Sequence, residues 1–144
     1  MARSYYSVVL DHAADRVWAH IRSFGDYAWS GVDAAVSLEH GKAGDQVGAV
    51  RRIQGGGRDM RQRLLAMSDP DRSYTYEFVG ASPFPVRNYC ATISVLPVVE
   101  GDKAFVEWSA TFDCAAAEQE RWSEHFATQG FAVWLASLRA TLSV

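Results

Sequence analysis

The chain has 144 residues, which is enough for one domain with a sizeable hydrophobic core. Hydrophobic residues make up 49% and charged residues 22% of the sequence, which excludes a disordered, collagenous or coiled-coil chain. The formal net charge of −3 gives no general electrostatic reason to bind nucleic acid or an acidic membrane surface.

The sequence contains nothing that resembles a targeting segment. The apolar stretch at residues 5–10 is too short for a signal peptide. No apolar run approaches the roughly 20 residues that a membrane span needs. The two cysteines, Cys90 and Cys114, fit a reducing compartment. We therefore expect a cytoplasmic protein.

The pattern of elements begins with a strand and two short helices, and strands then follow in quick succession. Residues 4–10 are rich in β-formers and predict a strand. Residues 13–22 have an apolar stripe typical of a helix, with Asp11 as its expected N-cap, and residues 26–30 predict a second short helix. Further strands are predicted at residues 35–39, 46–54, 59–67, 73–79, 87–96 and 104–112.

The last part of the chain predicts one long helix. Residues 118–142 contain no proline, and only Gly130 weakens the helical pattern. The broad apolar face of this segment indicates that it packs against something large. A run of strands followed by a separate helix is typical of an α+β domain, so we expect about seven antiparallel strands curled around the final helix.

Several local motifs resemble one known superfamily. Residues 13–18 resemble its entry into the first helix, and residues 47–51 (VGAVR) resemble its "VGxxR" strand. Residues 62–64 (QRL) resemble its "ERL" strand with Gln in place of Glu. Residues 85–89 (PVRNY) resemble its "LPVxNY" segment, and residues 106–108 (VEW) resemble its final strand. Together they identify the chain as similar to the START-related, polyketide cyclase/dehydrase-like (SRPBCC) superfamily, over about residues 4–142.

The resemblance implies a helix-grip fold over residues 1–144, in which the sheet and the long helix enclose an apolar cavity. Members bind lipids, sterols, hormones or polyketides there, and some catalyse cyclisation, dehydration or condensation. Residues 82–85 and 55–58 do not match the latch and gate of the plant abscisic acid receptors, so hormone reception is not implied. Condensing members use a Lys, whereas Lys42 and Lys103 both lie in predicted turns.

Alternation along the strands, combined with the motif matches, predicts which side chains face the cavity. The final strand is left open, because the family match turns Glu107 inward whereas periodicity favours Trp108. On the helix, one face carries three residues spaced by one turn, and Trp29 lies where members close the cavity mouth. The alternative is a filled core. The expected lining residues are Trp29, Met60, Gln62, Leu64, Tyr76, Phe78, Tyr89, Ala91, Trp108, Phe126, Gly130 and Trp134.

Three of the polar residues are candidates for chemistry. Arg51, expected roughly opposite Arg61 on a hairpin, is a candidate to hold a ligand carboxylate or enolate, or else belongs to a solvated face. Tyr89 could donate to a ligand carbonyl or to a neighbouring strand. Glu107 could serve as a general base if it is buried, or form a surface salt bridge. For Arg61 and Arg63 we favour an outer face with paired charges.

No cofactor or metal is expected, because the histidines and cysteines form no spaced metal motif. Cys90 and Cys114 are expected near opposite positions of a hairpin, where a disulfide is geometrically conceivable and reduced thiols are favoured. The leading hypothesis is a domain that binds a small, mostly apolar molecule. The alternatives are a cyclase or dehydratase acting on a polyketide-like carbonyl substrate, and a protein-interaction module with a filled core. A homodimer is left open.

Overall fold

The computed structural model describes residues 1–143. Within them, seven strands form one antiparallel sheet in the order β1-β7-β6-β5-β4-β3-β2. The predicted strands are all present, and the α+β class is confirmed. The strands are β1 (Ala2–Leu10), β2 (Ala35–Leu38), β3 (Val50–Gly55), β4 (Arg58–Ser68), β5 (Ser73–Phe78), β6 (Arg87–Val98) and β7 (Lys103–Asp113).

The connection after β1 differs in detail from the prediction. Helix α1 spans Ala14–Ile21 and follows Ala13, with no side chain bonded to its first turn, so Asp11 is not its N-cap. The second predicted helix is a single 3-10 turn at Ala28–Ser30. A further 3-10 turn at Glu39–Gly41 follows β2. Strand β3 begins later than predicted because the backbone turns at Gly48, whose φ of 91° suits glycine.

The C-terminal helical stretch begins with a 3-10 turn and has a wider turn in its middle. After Ala116–Glu118 come α2 (Gln119–His125), a π-helical segment (Phe126–Phe131) and α3 (Ala132–Leu142). The long helix is therefore confirmed, with a π-helical turn, a feature common at functional sites. No helix among residues 1–143 is long and apolar enough to cross a membrane.

The sheet packs against this helical stretch through one region that aromatic side chains fill. Trp108 of β7 is fully buried, and its indole stacks on Phe131 with ring centroids 5.0 Å apart. Trp29 lies 5.9 Å from the same indole. Leu135 and Leu138 of α3 are fully buried in the same core. This packing closes one part of the space between sheet and helix and leaves the other part to the candidate site.

Candidate ligand-binding cavity

A cavity of about 590 Å³ lies between the sheet and the π-helical segment. Its buried wall comes from β4, β5, β6 and the C-terminal helical stretch. Its rim comes from the turn between β3 and β4, the loop after β5 and the exposed side of the helix. This volume falls within the usual range of small-molecule sites, about 300–1,000 Å³. The expected lining residues found on the wall are Met60, Gln62, Tyr76, Phe78, Tyr89, Phe126, Gly130 and Trp134.

Four of the expected lining residues lie in the core instead. Trp108 packs on the helix, and the Trp29 indole donates to the backbone oxygen of Asp26 at 3.1 Å. Leu64 and Ala91 flank Tyr76 in neighbouring strands, and Tyr76 is the side chain of that row that reaches the cavity. The expectation that these four line the cavity is therefore wrong.

Of the two alternatives left open for the last strand, the family match that turned Glu107 inward is wrong. Alternate residues of β7 are buried, and Glu107 belongs to the other, outward-facing set. Its carboxylate accepts a hydrogen bond from the Tyr5 hydroxyl at 2.7 Å on the exposed face of the sheet. Periodicity, which placed Trp108 inward, predicts this strand correctly. Glu107 is therefore on the opposite side of the sheet from Tyr89 and Arg51.

Arg51 faces inward and is fully buried, but it does not reach the cavity wall. It pairs with Gln62 across the hairpin, whereas Arg61 pairs with Arg52, so the predicted register is wrong by one residue. Its Nε donates to Gln62 Oε1 at 2.7 Å, and its Nη1 makes a longer contact of 3.4 Å to a backbone oxygen. No acidic side chain among residues 1–143 forms a salt bridge with it.

Aromatic rings take the place of a counter-ion around this guanidinium. The carbon Cζ of Arg51 lies 4.0 Å from the ring centre of Phe24, 4.3 Å from that of Tyr27 and 5.1 Å from that of Tyr76. Such cation–π contacts are worth about 2 kcal/mol when they are shielded from water. Within the described residues, Arg51 Nη2 and the Tyr74 hydroxyl are buried without hydrogen-bond partners. Burial raises the pKa of Tyr74 and the nearby guanidinium opposes that rise, although the two groups are not aligned as a bonded pair.

The tyrosines of the wall are held in their neutral form. Burial raises the pKa of Tyr89 well above its usual value, and the neighbouring Tyr76 and Tyr27 hydroxyls add to the effect. Burial also raises the pKa of Tyr76, whose oxygen accepts a hydrogen bond from the Trp108 indole at 3.2 Å. Both tyrosines are therefore protonated at neutral pH and can donate.

Tyr89 faces inward in phase with Ala91 and Ile93, next to a bulge in β6. The pairing of β6 with β7 shifts between Arg87 and Cys90, and Asn88 takes a positive φ of 54° there. Asparagine tolerates this conformation, and its side-chain amide donates to Asp113 at 2.9 Å. Bulges commonly re-aim a side chain next to a binding site.

The outer face of the same strands carries the paired charges that the sequence predicted. Arg61 donates twice to Glu39, at 2.7 and 2.9 Å, and Arg63 donates to Glu77 at 2.8 Å. The Arg61 guanidinium lowers the pKa of Glu39. These arginines therefore belong to the solvated surface and not to the cavity.

The described residues hold no cluster of three metal-ligating side chains. Both cysteines are free, and Cys90 pairs in register with Thr111, so the expectation that Cys90 and Cys114 lie opposite each other is wrong.

A family model described as polyketide cyclase / dehydrase and lipid transport matches residues 1–142. The chain belongs to this family. The resemblance of the sequence motifs is thus confirmed, and so is the helix-grip fold. A search of the curated proteins found no match.

Solved structures of three other proteins show the same architecture. A protein from Nitrosospira multiformis is 30% identical, with a TM-score of 0.80 over 96% of this chain and 94% of that one. The di-domain ARO/CYC protein BexL, from the BE-7585A biosynthetic pathway, is 16% identical, with a TM-score of 0.80 over 99% of this chain and 47% of that one. Norcoclaurine synthase from Thalictrum flavum, in complex with dopamine and hydroxybenzaldehyde, is 12% identical, with a TM-score of 0.75 over 98% of this chain and 86% of that one. The last two likenesses show the fold alone.

Several residues that line or close the cavity were not predicted from the sequence. Phe84 packs edge-on against Phe126 with ring centroids 5.1 Å apart and closes the wall beside Trp122. It is the one aromatic side chain in the loop at residues 80–85, which also holds two prolines. An aromatic residue in such a loop is the sequence signal that could have indicated a contact with the cavity. The rim residues carried no periodic signal because they lie in turns, at the exposed first two positions of β4, or on the exposed side of the helix. They are Gly57, Arg58, Asp59, Pro83, His125 and Gln129.

Proposed function

We propose that this protein binds a small, mostly apolar molecule in the cavity between the sheet and the C-terminal helical stretch. The observation that carries the proposal is the composition of the buried wall. Aromatic and aliphatic side chains supply most of it, and a few polar groups, chiefly Tyr89 and Gln62, point into it. Apolar pockets with a small number of placed polar groups are the usual form of small-molecule sites.

The cavity argues against the protein-interaction module with a filled core. A filled core leaves few voids larger than a water molecule, whereas this wall encloses about 590 Å³. The family description, which includes lipid transport, agrees with an apolar occupant.

The positions of the polar residues do not favour a cyclase or dehydratase that uses Tyr89, Arg51 and Glu107 together. That mechanism needs Tyr89, Arg51 and Glu107 around one substrate. Glu107 lies on the outer face, and Arg51 lies behind the wall. The solved ARO/CYC and norcoclaurine synthase structures resemble this chain in fold, at 16% and 12% identity. We therefore propose binding and not turnover.

The test uses fluorene, a flat apolar probe, titrated against the protein, with the bound fraction measured by equilibrium dialysis. The variant Met60→Trp adds bulk to a half-buried residue of the cavity wall. Met67→Trp makes the same change at a half-buried residue of the same strand away from the cavity. We expect Met60→Trp to weaken binding at least about tenfold and Met67→Trp to change it less than about threefold. Equal affinities in the two variants would show that the probe binds elsewhere.

Native mass spectrometry of protein purified from its own host complements the titration. A retained molecule that is released on denaturation identifies the chemical class of the natural ligand. The cytoplasmic location, the single domain over residues 1–144 and the oligomeric state stay predictions, to be tested by fractionation, limited proteolysis and analytical ultracentrifugation.

A further inference from the structure

The deep polar groups of the cavity differ from those of its rim. Among residues 1–143, the buried polar side chains on the wall are Gln62, Tyr76 and Tyr89. All three come from β4, β5 and β6, which are adjacent in the sheet, and this part of the wall is called the deep end. In the described part of the chain, the carboxylate, imidazole and guanidinium groups that line the cavity belong to its exposed or half-buried rim, at Arg58, Asp59 and His125.

Arg51 fixes which end of the Gln62 amide faces the cavity. A guanidinium has only donors, so the atom of Gln62 that it touches at 2.7 Å must be the amide oxygen. The amide nitrogen is then on the opposite branch of the side chain, away from Arg51. Because Gln62 lines the cavity and Arg51 does not, the N–H groups are the part of the amide that a ligand meets. An inverted amide would place its N–H groups against the N–H groups of the buried Arg51.

Two tyrosine hydroxyls lie on the same wall. The Trp108 indole N–H donates to the Tyr76 oxygen at 3.2 Å. Burial raises the pKa of both Tyr76 and Tyr89, so each hydroxyl keeps a proton that it can donate.

We infer that Arg51 is a positioning residue which turns the Gln62 amide N–H groups toward the cavity, so that the deep end is selective for a ligand whose polar group is an acceptor. This inference rests on the proposed ligand-binding function. A ketone, aldehyde or quinone oxygen can accept a hydrogen bond from the Gln62 amide. A ligand group that can only donate would leave these donors unpaired and would itself lose its bonds to water.

The test compares two probes of the same shape, fluorene and 9-fluorenone, which differ by one carbonyl oxygen. The variant Gln62→Glu keeps the size of the side chain and replaces the N–H groups with a second acceptor oxygen. It also gives the buried Arg51 a partner of opposite charge, so the fold is retained. Gln46→Glu makes the same charge change at an exposed turn residue outside the cavity and serves as the control.

We expect Gln62→Glu to weaken fluorenone binding about tenfold or more, whereas fluorene affinity changes less than about threefold. The Gln46→Glu control should leave both affinities at their wild-type values. Infrared spectra provide a second readout, because donors on the carbonyl lower its stretching frequency relative to the free ketone in an apolar solvent. This lowering should be present in the wild type and reduced in Gln62→Glu.

The other outcomes each contradict a specific statement. If Gln62→Glu leaves fluorenone affinity unchanged or improves it, the amide does not present donors to the ligand and the inference is overturned. An equal loss for both probes would assign Gln62 a merely structural role, with the same consequence. If neither probe binds the wild-type protein, the proposed function itself fails, and the inference fails with it.

Discussion

The dependence of Arg51 on Gln62 gives the sharpest prediction for stability. Arg51 is fully buried, and its one short hydrogen bond is the 2.7 Å contact with Gln62. Gln62→Leu removes that acceptor and leaves the guanidinium with a 3.4 Å contact to the Phe24 backbone oxygen. A hydrogen bond to a charged group contributes about 1.5–3 kcal/mol, and the extra apolar surface of leucine offsets part of the loss. We expect the free energy of unfolding to fall by about 2 kcal/mol.

The assay is urea denaturation followed by circular dichroism, with thermal unfolding as a second measure. For a chain of this length, a loss of that size lowers the melting temperature by about 6 °C. Gln54→Leu, at an exposed residue of β3, is the matched control and should stay within about 0.5 kcal/mol of the wild type. A loss below about 0.5 kcal/mol for Gln62→Leu would show that the guanidinium is satisfied without Gln62. The argument for the orientation of the Gln62 amide would then be refuted as well.

Four further predictions follow from the same contacts. Trp108→Phe should lower the free energy of unfolding by about 2 kcal/mol in urea titrations, because it shrinks a buried ring stacked on Phe131 and removes an indole hydrogen bond. Glu107→Gln should change the affinity for fluorene less than about twofold, measured by equilibrium dialysis, because this side chain lies outside the cavity. Hydrogen bonding to Arg22 lowers the pKa of Asp69, so its stabilising effect is present above the unfolded pKa of about 3.9 and is lost as the pH falls below it. The fall in urea midpoint between about pH 5 and pH 2 should therefore be smaller in Asp69→Asn than in the wild type. Burial raises the pKa of four tyrosines, so their stabilising effect is present below about pH 10 and is lost at higher pH. In an ultraviolet titration their ionisation should coincide with unfolding. They are Tyr27, Tyr74, Tyr76 and Tyr89.

Simple alternation predicted the faces of the strands better than motif matching did. On β7 the two methods disagreed, and Trp108 faces inward as alternation requires, whereas the motif match placed Glu107 there. A shift of one residue exchanges the two faces of a strand, so a motif aligned one residue out of register gives the opposite answer. On β6 alternation also holds, because Tyr89, Ala91 and Ile93 are in phase and all buried. What the sequence did not show is the bulge just before Tyr89, which shifts the pairing with β7 between Arg87 and Cys90.

The register that places Arg51 opposite Gln62 follows from the glycines of the hairpin turn. Gly56 and Gly57 both have positive φ, and Gly55 pairs with Arg58, which is the geometry of a two-residue hairpin turn. A pair of glycines between two strands favours such a turn. Counting back from it places Arg51 opposite Gln62. The glycine pair therefore predicts the contact between Arg51 and Gln62 at the deep end of the cavity.

The depth of the cavity could not be predicted, because it depends on an irregular turn of the helix. A regular helix brings residues three and four apart onto one face. Here Phe126 and Phe131, five residues apart, are both buried, and the π-helical segment that joins them accommodates the additional residue. Phe131 then packs on Trp108 and closes the filled region, while Phe126 and Gly130 face the cavity.

Gly130 has the further consequence that no side chain projects from the helix at this point. A Cβ atom there would lie 3.2 Å from the Trp134 ring, tighter than usual contacts, so a larger residue would push this ring aside or fill the space. The filled region and the open cavity are therefore two results of one local change in the helix. The aromatic residues that the sequence placed on a single apolar face are divided between them. This division explains why the same set of side chains predicted both a packed core and a ligand site.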